Sequence, residues 1–425
     1  MASRLDVVIF GASGFTGEHV VRRAIQKQKE ESAFTFGIAG RSAEKLKDVL
    51  NRAKKIPGLE EFSCEIIVAD INNEQSLRKM CAQAKVLINC VGPYRFYGEQ
   101  VVKAAIDSKT NYVDISGEPQ FLEGMQLKYD EYAKSQGVYV VGACGFDSIP
   151  SELGIAFTKK NFAGDLNSVE TYMSVKAGPE GAAVHYGTWE SAVHSFSTSK
   201  ELGPLRKQLY ATRLPRPNHK VDQKTVHYGE EAQGYAIPFP GSDRAVARRT
   251  EYLEFTEQNK RPVQVVSYLN VGSLWNTFLI MVFGAVFSFM ANFKATRELL
   301  LKYPKAFSAG LFSHEGPTEQ QIAHTSFLMK IIGYGYPTKL ASSEEVHSGL
   351  PTKKIIVNVT GPEPGYAATS AFVMESAFTI LQQIEQPRSR IPRFGVMTPG
   401  YAFGNTNMYE RLAKYGVGFH VETQT

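Results

Sequence analysis

Three glycines near the start of the chain are spaced in a way that could hold a phosphate group. Gly11, Gly14 and Gly17 follow the apolar run LDVVIF and precede the helix-like run EHVVRRA. In a strand–turn–helix unit the first glycine allows the tight turn, the second lets a pyrophosphate approach the backbone, and the third lets the helix pack closely. The first amides of the helix then face the phosphates. The predicted dinucleotide-binding turn also includes Ser13, Phe15 and Thr16. The hydroxyls of Ser13 and Thr16 are additional hydrogen-bond donors.

The end of the second predicted strand indicates which dinucleotide is preferred. Sites that prefer NAD place Asp or Glu there for the ribose hydroxyls, whereas an Arg accommodates the 2′-phosphate of NADP. The sequence at this point is AGRS, so Arg41 and Ser42 occupy the position and no acid does. We therefore predict NADP(H) as the cofactor, with Arg41 pairing with the phosphate and Ser42 donating from a helix start. The alternative is that Arg41 is an ordinary solvated loop residue.

The next strand ends supply further candidates for cofactor contacts. Asp70 follows the third predicted strand and is expected near the adenine, although an Asp there could equally cap the following helix. Asn89 and Gly92 follow the fourth strand in the loop NCVGPYRFYGE, which we expect to lie beside the cofactor. Ligands in open α/β sheets sit outside the carboxyl ends of the strands, which is why these positions matter.

The same loop supplies the candidate catalytic residue. Hydride transfer to a carbonyl or imine needs a proton donor, and Tyr94 is placed to be one, with Arg95 or Glu99 positioning the substrate. The alternative for Tyr94 is a hydrogen bond to the backbone. Cys144, after the sixth strand, could be a thiol nucleophile, but a small buried strand-end residue is the better interpretation.

Several other chemistries lack their motifs in this chain. There is no G-x-S-x-G or H-E-x-x-H sequence. The four cysteines are far apart and form no C-x-x-C pair, which argues against a structural metal or a disulfide framework. No metal site is therefore predicted.

The elements that must position these residues follow a βαβ rhythm in the first third of the chain. Six short β-rich runs alternate with amphipathic helical stretches, at residues 5–10, 34–39, 64–69, 86–90, 112–115 and 138–141. This rhythm predicts a parallel sheet. Ser42 begins the clearest helix, AEKLKDVLNRAKK, which Pro57 and Gly58 are expected to end.

The sequence as a whole predicts an α/β protein of three parts. Residues 1–155 form a Rossmann-type doubly wound parallel sheet that binds NADP. Residues 156–390 form an α+β substrate or dimerisation domain, and residues 391–425 are expected to dock back on the Rossmann domain. A chain of 425 residues is long enough for two or three domains.

Charge and the N-terminus narrow the possible partners and location. The net charge of +5 is spread along the chain without blocks, so nucleic-acid binding is not suggested. The chain enters its first strand almost at once, and we expect no leader segment and a cytosolic location. A homodimer is possible.

One segment, residues 271–293, is unusually apolar. No charged residue lies between Arg261 and Lys294, and the run SLWNTFLIMVFGAVFSFMANF is at the length that spans a bilayer. The basic run that follows, KATRELLLKYPKAF, could meet anionic lipid headgroups. A buried helix, a subunit interface and lipid contact all remain open; for lipid contact, interfacial or hairpin insertion fits better than a full span because soluble-looking sequence lies on both sides.

Several motifs together carry a family resemblance. They are GASGFTG, AGRS, NCVGPYRFYGE, YVDISGEPQF, GFDSIPSELG, IPFPGSD, GPEPGYAAT and VMTPGYAFG. They cover nearly the whole chain, which resembles the saccharopine dehydrogenase-like oxidoreductases and is also similar to mycobacterial trans-acting enoyl reductases that act on lipid intermediates. The resemblance implies an NADP-type Rossmann domain, a substrate domain, and association with lipid droplets and membranes.

The residues help to choose between these two relatives. Saccharopine is small and multiply charged, so its pocket needs several convergent Arg or Lys residues, whereas the second domain here carries a long charge-free segment. We therefore predict an NADP(H)-dependent oxidoreductase acting on a hydrophobic carbonyl or enoyl substrate at a lipid droplet or membrane surface. The alternative is a catalytically weak NADP-binding sensor or scaffold of lipid droplets, and a true saccharopine dehydrogenase is the least favoured.

Overall fold

The strands and helices are taken from a computed structural model that describes residues 4–55, 62–385 and 391–425. Pro57 and Gly58, the expected end of the second helix, lie outside the described residues. The strands are Leu5–Phe10 (β1), Phe36–Gly40 (β2), Glu65–Val68 (β3), Ala84–Asn89 (β4), Asn111–Asp114 (β5), Tyr139–Val141 (β6), Asp165–Lys176 (β7), Val184–His185 (β8), His227–Gly229 (β9), Gly234–Pro238 (β10), Gln264–Gly272 (β11), Phe312–Ser313 (β12), Ser326–Tyr336 (β13), Lys353–Pro362 (β14), Gly395–Met397 (β15) and Gly418–Gln424 (β16).

The α-helices of the described residues alternate with these strands in the first part of the chain. They are Phe15–Glu30 (α1), Ala43–Lys54 (α2), Glu74–Cys81 (α3), Tyr94–Asp107 (α4), Pro119–Gln136 (α5), Ile149–Asn161 (α6), Tyr186–Ser197 (α7), Leu202–Leu209 (α8), Asp243–Gln258 (α9), Leu274–Asn292 (α10), Lys294–Lys302 (α11), Pro304–Phe307 (α12), Glu319–His324 (α13), Thr369–Glu385 (α14), Pro399–Phe403 (α15) and Met408–Ala413 (α16). A short 3-10 helix covers Ser199–Glu201, and a π-helical turn covers Pro364–Ala368.

The first compact unit, residues 1–146 and 365–397, is built on a seven-stranded parallel sheet. Its strand order is β15-β6-β5-β4-β1-β2-β3, which contains the 3-2-1-4-5-6 order of a Rossmann fold with one strand added. The predicted parallel sheet and all six predicted strands are confirmed, each within two residues of its expected bounds. The last four residues of β1 are buried, as expected of a strand covered by helices on both faces.

The domain boundaries differ from those expected from sequence. Residues 365–397 belong to the first unit, where β15 pairs in parallel with β6 and α14 packs against α1. Lys27 of α1 and Glu375 of α14 form a buried ion pair with 3.3 Å between Nζ and Oε1. The expectation that residues 391–425 dock back on the Rossmann domain agrees with residues 391–397, which belong to the first unit, and is corrected for residues 398–425, which belong to the second.

The second compact unit, residues 147–364 and 398–425, contains a mixed sheet. The strand order is β16-β14-β13-β7-β11-β10-β9, and only β7 and β11 are paired in parallel. The long strands β7, β13 and β14 form its centre, and β16 from the chain's end pairs with β14. This is the α+β arrangement expected of the second domain.

The apolar segment of this unit forms α10, the one helix of the described residues that is long and apolar enough to cross a membrane. Only 17% of its most apolar window is buried. One stripe of the helix, at Phe287 and Ala291, packs into a cluster with Trp189 and Leu300. Thr277 is also buried, but most of the other side chains of α10 are exposed. The structure therefore does not support the interpretation of this segment as a buried core helix.

Candidate functional site

The glycine turn between β1 and α1 has the geometry that the sequence predicted. Gly11 adopts a φ of +85°, a conformation that favours glycine, and its amide and that of Ala12 donate to the carbonyl of Ala39. A Cβ on Gly17 would lie 2.1 Å from the carbonyl oxygen of Gly11, so only glycine allows the helix to start this close to the turn. Gly14 is exposed and precedes the first residue of α1.

This turn forms one side of an open cleft of about 680 Å³ at the carboxyl ends of β1, β2 and β4. Its volume is within the range of small-molecule sites. The predicted residues Gly11, Ser13, Gly14, Arg41, Ser42 and Gly92 all line it. The lining residues that sequence reasoning missed are Phe10, Gly40, Lys45, Ile71, Asn72, Cys90, Val91 and Tyr97.

The side of the cleft after β2 is cationic. Ser42 caps α2, and its hydroxyl accepts the amide of Lys45 at 3.3 Å, which leaves the hydroxyl proton free to donate. Arg41 is exposed beside it. Lys45 follows three residues after the cap, a helical position that places its side chain over the cleft. Among the described residues that line the cleft there is no Asp or Glu. The net charge of the lining is therefore positive, which would favour an anionic group such as a phosphate.

Five of the predicted cofactor contacts lie outside the lining, namely Phe15, Thr16, Gly17, Asp70 and Asn89. Phe15 packs its ring edge-on against Tyr366, with 4.7 Å between centroids. Thr16 lies half-buried in the first turn of α1. Asp70 accepts the amide of Asn72 at 2.8 Å, and the cap of α3 is Asn73, so Asp70 is neither a lining residue nor the helix cap.

The loop after β4 holds its polar groups in internal hydrogen bonds. Asn89 is fully buried; its side-chain amide donates to the Tyr112 hydroxyl at 3.1 Å, and its side-chain oxygen accepts the amide of Val91 at 3.0 Å. It shapes the cleft from behind without lining it.

The structure corrects the assignment of Tyr94 as the proton donor. Its side chain is 6% exposed, and its hydroxyl donates to the carbonyl of Asn89 at 2.7 Å and accepts the amide of Ile115 at 3.4 Å. Burial raises the pKa of Tyr94 well above its ordinary value. The backbone hydrogen bond, which was the alternative interpretation, is the role that this geometry gives it.

A buried carboxylate fixes the start of α4. Glu118 accepts the amides of Tyr94 and Arg95 at 2.9 and 3.0 Å and so caps the start of α4. Glu99, one helical turn further along, accepts the Tyr129 hydroxyl at 2.9 Å and pairs with Lys128. Both acids connect α4 to the loop and helix beside it.

Tyr97 is the tyrosine of this loop that reaches the cleft. It lies three residues after Tyr94 on α4, lines the cleft, and has 39% of its side chain exposed. Cys144, the thiol alternative, is fully buried with its thiol 3.3 Å from the carbonyl of Val141, and burial raises its pKa well above the ordinary value. A thiolate nucleophile at Cys144 is therefore not supported.

A parallel sheet in the 3-2-1-4-5-6 order with a glycine turn after its first strand defines the Rossmann class of fold. Residues 7–141 match the family model of the saccharopine dehydrogenase NADP binding domain. The chain is 42% identical to a human saccharopine dehydrogenase-like oxidoreductase over 98% of this chain and 96% of that one. The chain therefore belongs to the saccharopine dehydrogenase-like oxidoreductases.

Two further comparisons concern a relative and a solved structure. The chain is 39% identical to a Caenorhabditis elegans protein named lipid droplet localized protein, over 99% of both chains. It also superposes on the apo saccharopine dehydrogenase (L-Glu forming) from Saccharomyces cerevisiae with a TM-score of 0.54, at 15% identity, covering 99% of this chain and all of that one. The second comparison confirms the fold.

Proposed function

We propose that this protein is an NADP(H)-dependent oxidoreductase that acts on a hydrophobic carbonyl or enoyl substrate at a lipid droplet or membrane surface, on the cytosolic side. The observation that supports NADP(H) as the cofactor is the cleft beside Gly11, where Arg41 and Lys45 supply positive charge and no acid is present among the described lining residues. The exposed helix α10 supports the location and the apolar substrate.

The residues present fit an NADP molecule in three respects. Gly14 is exposed, so a pyrophosphate could approach the start of α1, where the first amides of a helix can donate to an anion. Arg41 and Lys45 are placed for a 2′-phosphate, and the Ser42 hydroxyl adds a donor. Asp or Glu, which would repel that phosphate, is not among the described lining residues. When bound, the nicotinamide supplies or accepts the hydride.

The chain's own contribution to chemistry is a proton donor and an apolar site. Tyr97 presents an exposed phenol in the cleft, whereas Tyr94 does not. We therefore assign Tyr97 the donor role that the sequence suggested for Tyr94.

The lipid surface is supported by α10. Its most exposed side chains are large and apolar, including Trp275, Phe278 and Phe289 at 66%, 57% and 63%. Single exposed apolar residues are common, but a contiguous face of this kind marks an interaction site. A homologue named for its localisation to lipid droplets agrees with this face contacting lipid.

The way α10 is attached favours lying in a surface over crossing a bilayer. Phe287 and Ala291 pack against Trp189, and the Trp189 indole donates to the carbonyl of Leu300 at 2.9 Å. A helix fixed to a folded domain along one stripe can immerse only its other face, as interfacial helices do. A lipid-droplet monolayer or one membrane leaflet is therefore the proposed surface.

Equilibrium binding of NADPH and NADH tests the cofactor assignment. The unmodified protein should prefer NADPH, and Arg41→Ala should weaken NADPH binding by about tenfold or more while leaving NADH nearly unchanged, because a hydrogen bond between charged groups contributes about 1.5–3 kcal/mol. Lys79→Ala, a charge change on α3 away from the cleft, is the matched control. An unchanged preference in Arg41→Ala contradicts the assignment.

A second candidate function follows from the internal hydrogen bonds of the β4 loop. Because Tyr94, Asn89 and Glu118 are all engaged in them, the protein could instead be an NADP-binding sensor or scaffold of the lipid surface. NADPH turnover with a panel of lipid carbonyls, enoyl thioesters and saccharopine separates the two. Turnover that falls sharply in Tyr97→Phe supports the enzyme, and tight NADPH binding with no turnover of any compound supports the scaffold.

A further inference from the structure

A second cleft, in the unit of residues 147–364 and 398–425, is lined by arginines and tyrosines. It has a volume of about 420 Å³. Its lining residues are Tyr210, Thr212, Arg213, Leu214, Arg216, Arg248 and Tyr252. Among these described residues there are three arginines and no Asp or Glu. We call this the arginine cleft.

Two tyrosines hold the cleft in shape. Tyr210, just after α8, packs edge-on against Tyr252 of α9, with 4.9 Å between ring centroids. The Tyr252 hydroxyl accepts a hydrogen bond from the amide of Thr212 at 3.2 Å, which fixes the loop segment that carries Arg213 and Arg216. The prolines at 215 and 217 stiffen that segment further. The cleft is therefore a structured feature of the fold.

The third arginine is positioned from α9. Arg248 lies one helical turn before Tyr252, on the same face of the helix, and its guanidinium sits 5.3 Å from the centre of the Tyr210 ring. Arg244 lies one turn before that, and its pKa is lowered by burial and by the neighbouring charges of Arg248 and Arg206. Positive charge is thus concentrated along this face.

The arginines that line the cleft have no acidic partners to balance them. Within the described parts of the chain, no ion pair involves Arg213, Arg216 or Arg248. By contrast, a carboxylate pairs with each of the arginines at 52, 78, 261 and 393. Like charges brought together on a surface cost stability unless an anion compensates them. Guanidinium groups recognise phosphate oxygens through paired hydrogen bonds.

We propose that the arginine cleft binds a phosphate-bearing ligand, separate from the nucleotide in the Rossmann unit. Its phosphoryl oxygens bond to Arg213, Arg216 and Arg248, and the Tyr210 and Tyr252 rings form the apolar wall. The phosphate belongs either to a soluble phosphate ester or to an anionic phospholipid headgroup, and the same residues recognise both.

Binding of inorganic diphosphate, measured by calorimetry with the nucleotide cleft saturated by NADP⁺, tests this site. The double variant Arg213→Gln/Arg248→Gln should weaken diphosphate binding by about tenfold for each arginine removed. Lys176→Gln, an exposed cation at the end of β7, is the control and should leave binding unchanged. All three side chains are exposed, so these variants should fold, which circular dichroism verifies.

Competition then identifies the source of the phosphate. Displacement of diphosphate by glycerol 3-phosphate, but not by vesicles of phosphatidylcholine with phosphatidic acid, indicates a soluble ester. Displacement by those vesicles, but not by pure phosphatidylcholine vesicles, indicates a headgroup. No saturable diphosphate binding, or equal weakening in the arginine and Lys176 variants, overturns the proposal by showing only general electrostatic attraction.

Discussion

Replacing the most exposed aromatic residues of α10 should detach the protein from lipid. We consider the triple variant Trp275→Gln, Phe278→Gln and Phe289→Gln. Glutamine preserves helix propensity while removing the apolar rings. All three side chains point away from the Trp189 cluster and are more than half exposed, at 66%, 57% and 63%. The substitutions therefore change the surface and leave the packing of the domain intact.

The size of the effect follows from these exposures. Burying a large apolar side chain completely contributes about 1.5–3 kcal/mol. Since about three-fifths of each ring is still open to water, immersion of all three gains about 3–5 kcal/mol. The triple variant should thus partition into lipid about two to four orders of magnitude more weakly.

Flotation with phosphatidylcholine vesicles and with triacylglycerol emulsions measures this partition. Tyr228→Gln is the matched control, because Tyr228 is also an exposed aromatic residue of the same unit, at 50%. Equal flotation of the triple variant and the control contradicts our reasoning. A second result would also contradict it: the unmodified protein does not bind lipid but forms a dimer, and the triple variant is monomeric. The exposed face of α10 would then be the contact with a second copy of the chain.

Three further predictions concern single side chains. Tyr94→Phe should lower the free energy of unfolding by about 1–3 kcal/mol in denaturant titrations, because the Asn89 carbonyl loses the hydrogen bond from the Tyr94 hydroxyl. NADPH affinity should not change. Lost turnover at unchanged stability would restore Tyr94 as a catalytic residue. Gly17→Ala should abolish NADPH binding in fluorescence titrations, because its Cβ would overlap the Gly11 carbonyl; normal affinity would show that the turn is not the phosphate site. Burial of the Glu152 carboxyl raises its pKa from 4.5 to about 7. Between pH 4.5 and 7 the folded protein therefore keeps a proton that the unfolded chain has lost, so the free energy of unfolding falls as the pH rises through this range. Glu152→Gln should remove this loss and become more stable than the unmodified protein by about 3 kcal/mol at neutral pH, whereas parallel stability curves for the two proteins would rule out this titration.

The Rossmann sheet could be predicted from sequence because each strand is a short apolar run followed closely by a helix. The sequence predicted that the last part of the chain returns to this domain, but not that residues 395–397 add a strand to its sheet. Three residues carry no periodic pattern of their own, and their partner β6 lies far away in the sequence. The predicted domain boundaries differ from the observed ones because residues 147–364 form the second unit and residues 365–397 then return to the first. Contacts such as that between Lys27 and Glu375 hold this returning segment in place.

The residues that line the cleft beside Gly11 were more predictable than the proposed proton donor. Glycine spacing and the absence of an acid after β2 are local signals. Lys45 had a usable signal, since it is the third residue of the helix that Ser42 caps. The choice between Tyr94 and Tyr97 had none, because it depends on which face of α4 packs inward in the folded unit.

The charge-free segment shows a different limit. Its length and composition fit a buried helix, an interface or a lipid contact equally well, because all three demand apolar residues. Exposure separates them, and only the folded unit determines which stripe of α10 packs on Trp189 and which faces outward.

The most direct test of an NADPH-dependent oxidoreductase at a lipid surface is the fate of the hydride. NADPH deuterated at its transferable position is incubated with the protein and a lipid-droplet extract, and the lipids are examined by mass spectrometry. Our account predicts deuterium on a carbon of an apolar lipid, reduced in Arg41→Ala and in the triple variant of α10. NADPH that binds tightly while no lipid acquires deuterium would contradict it.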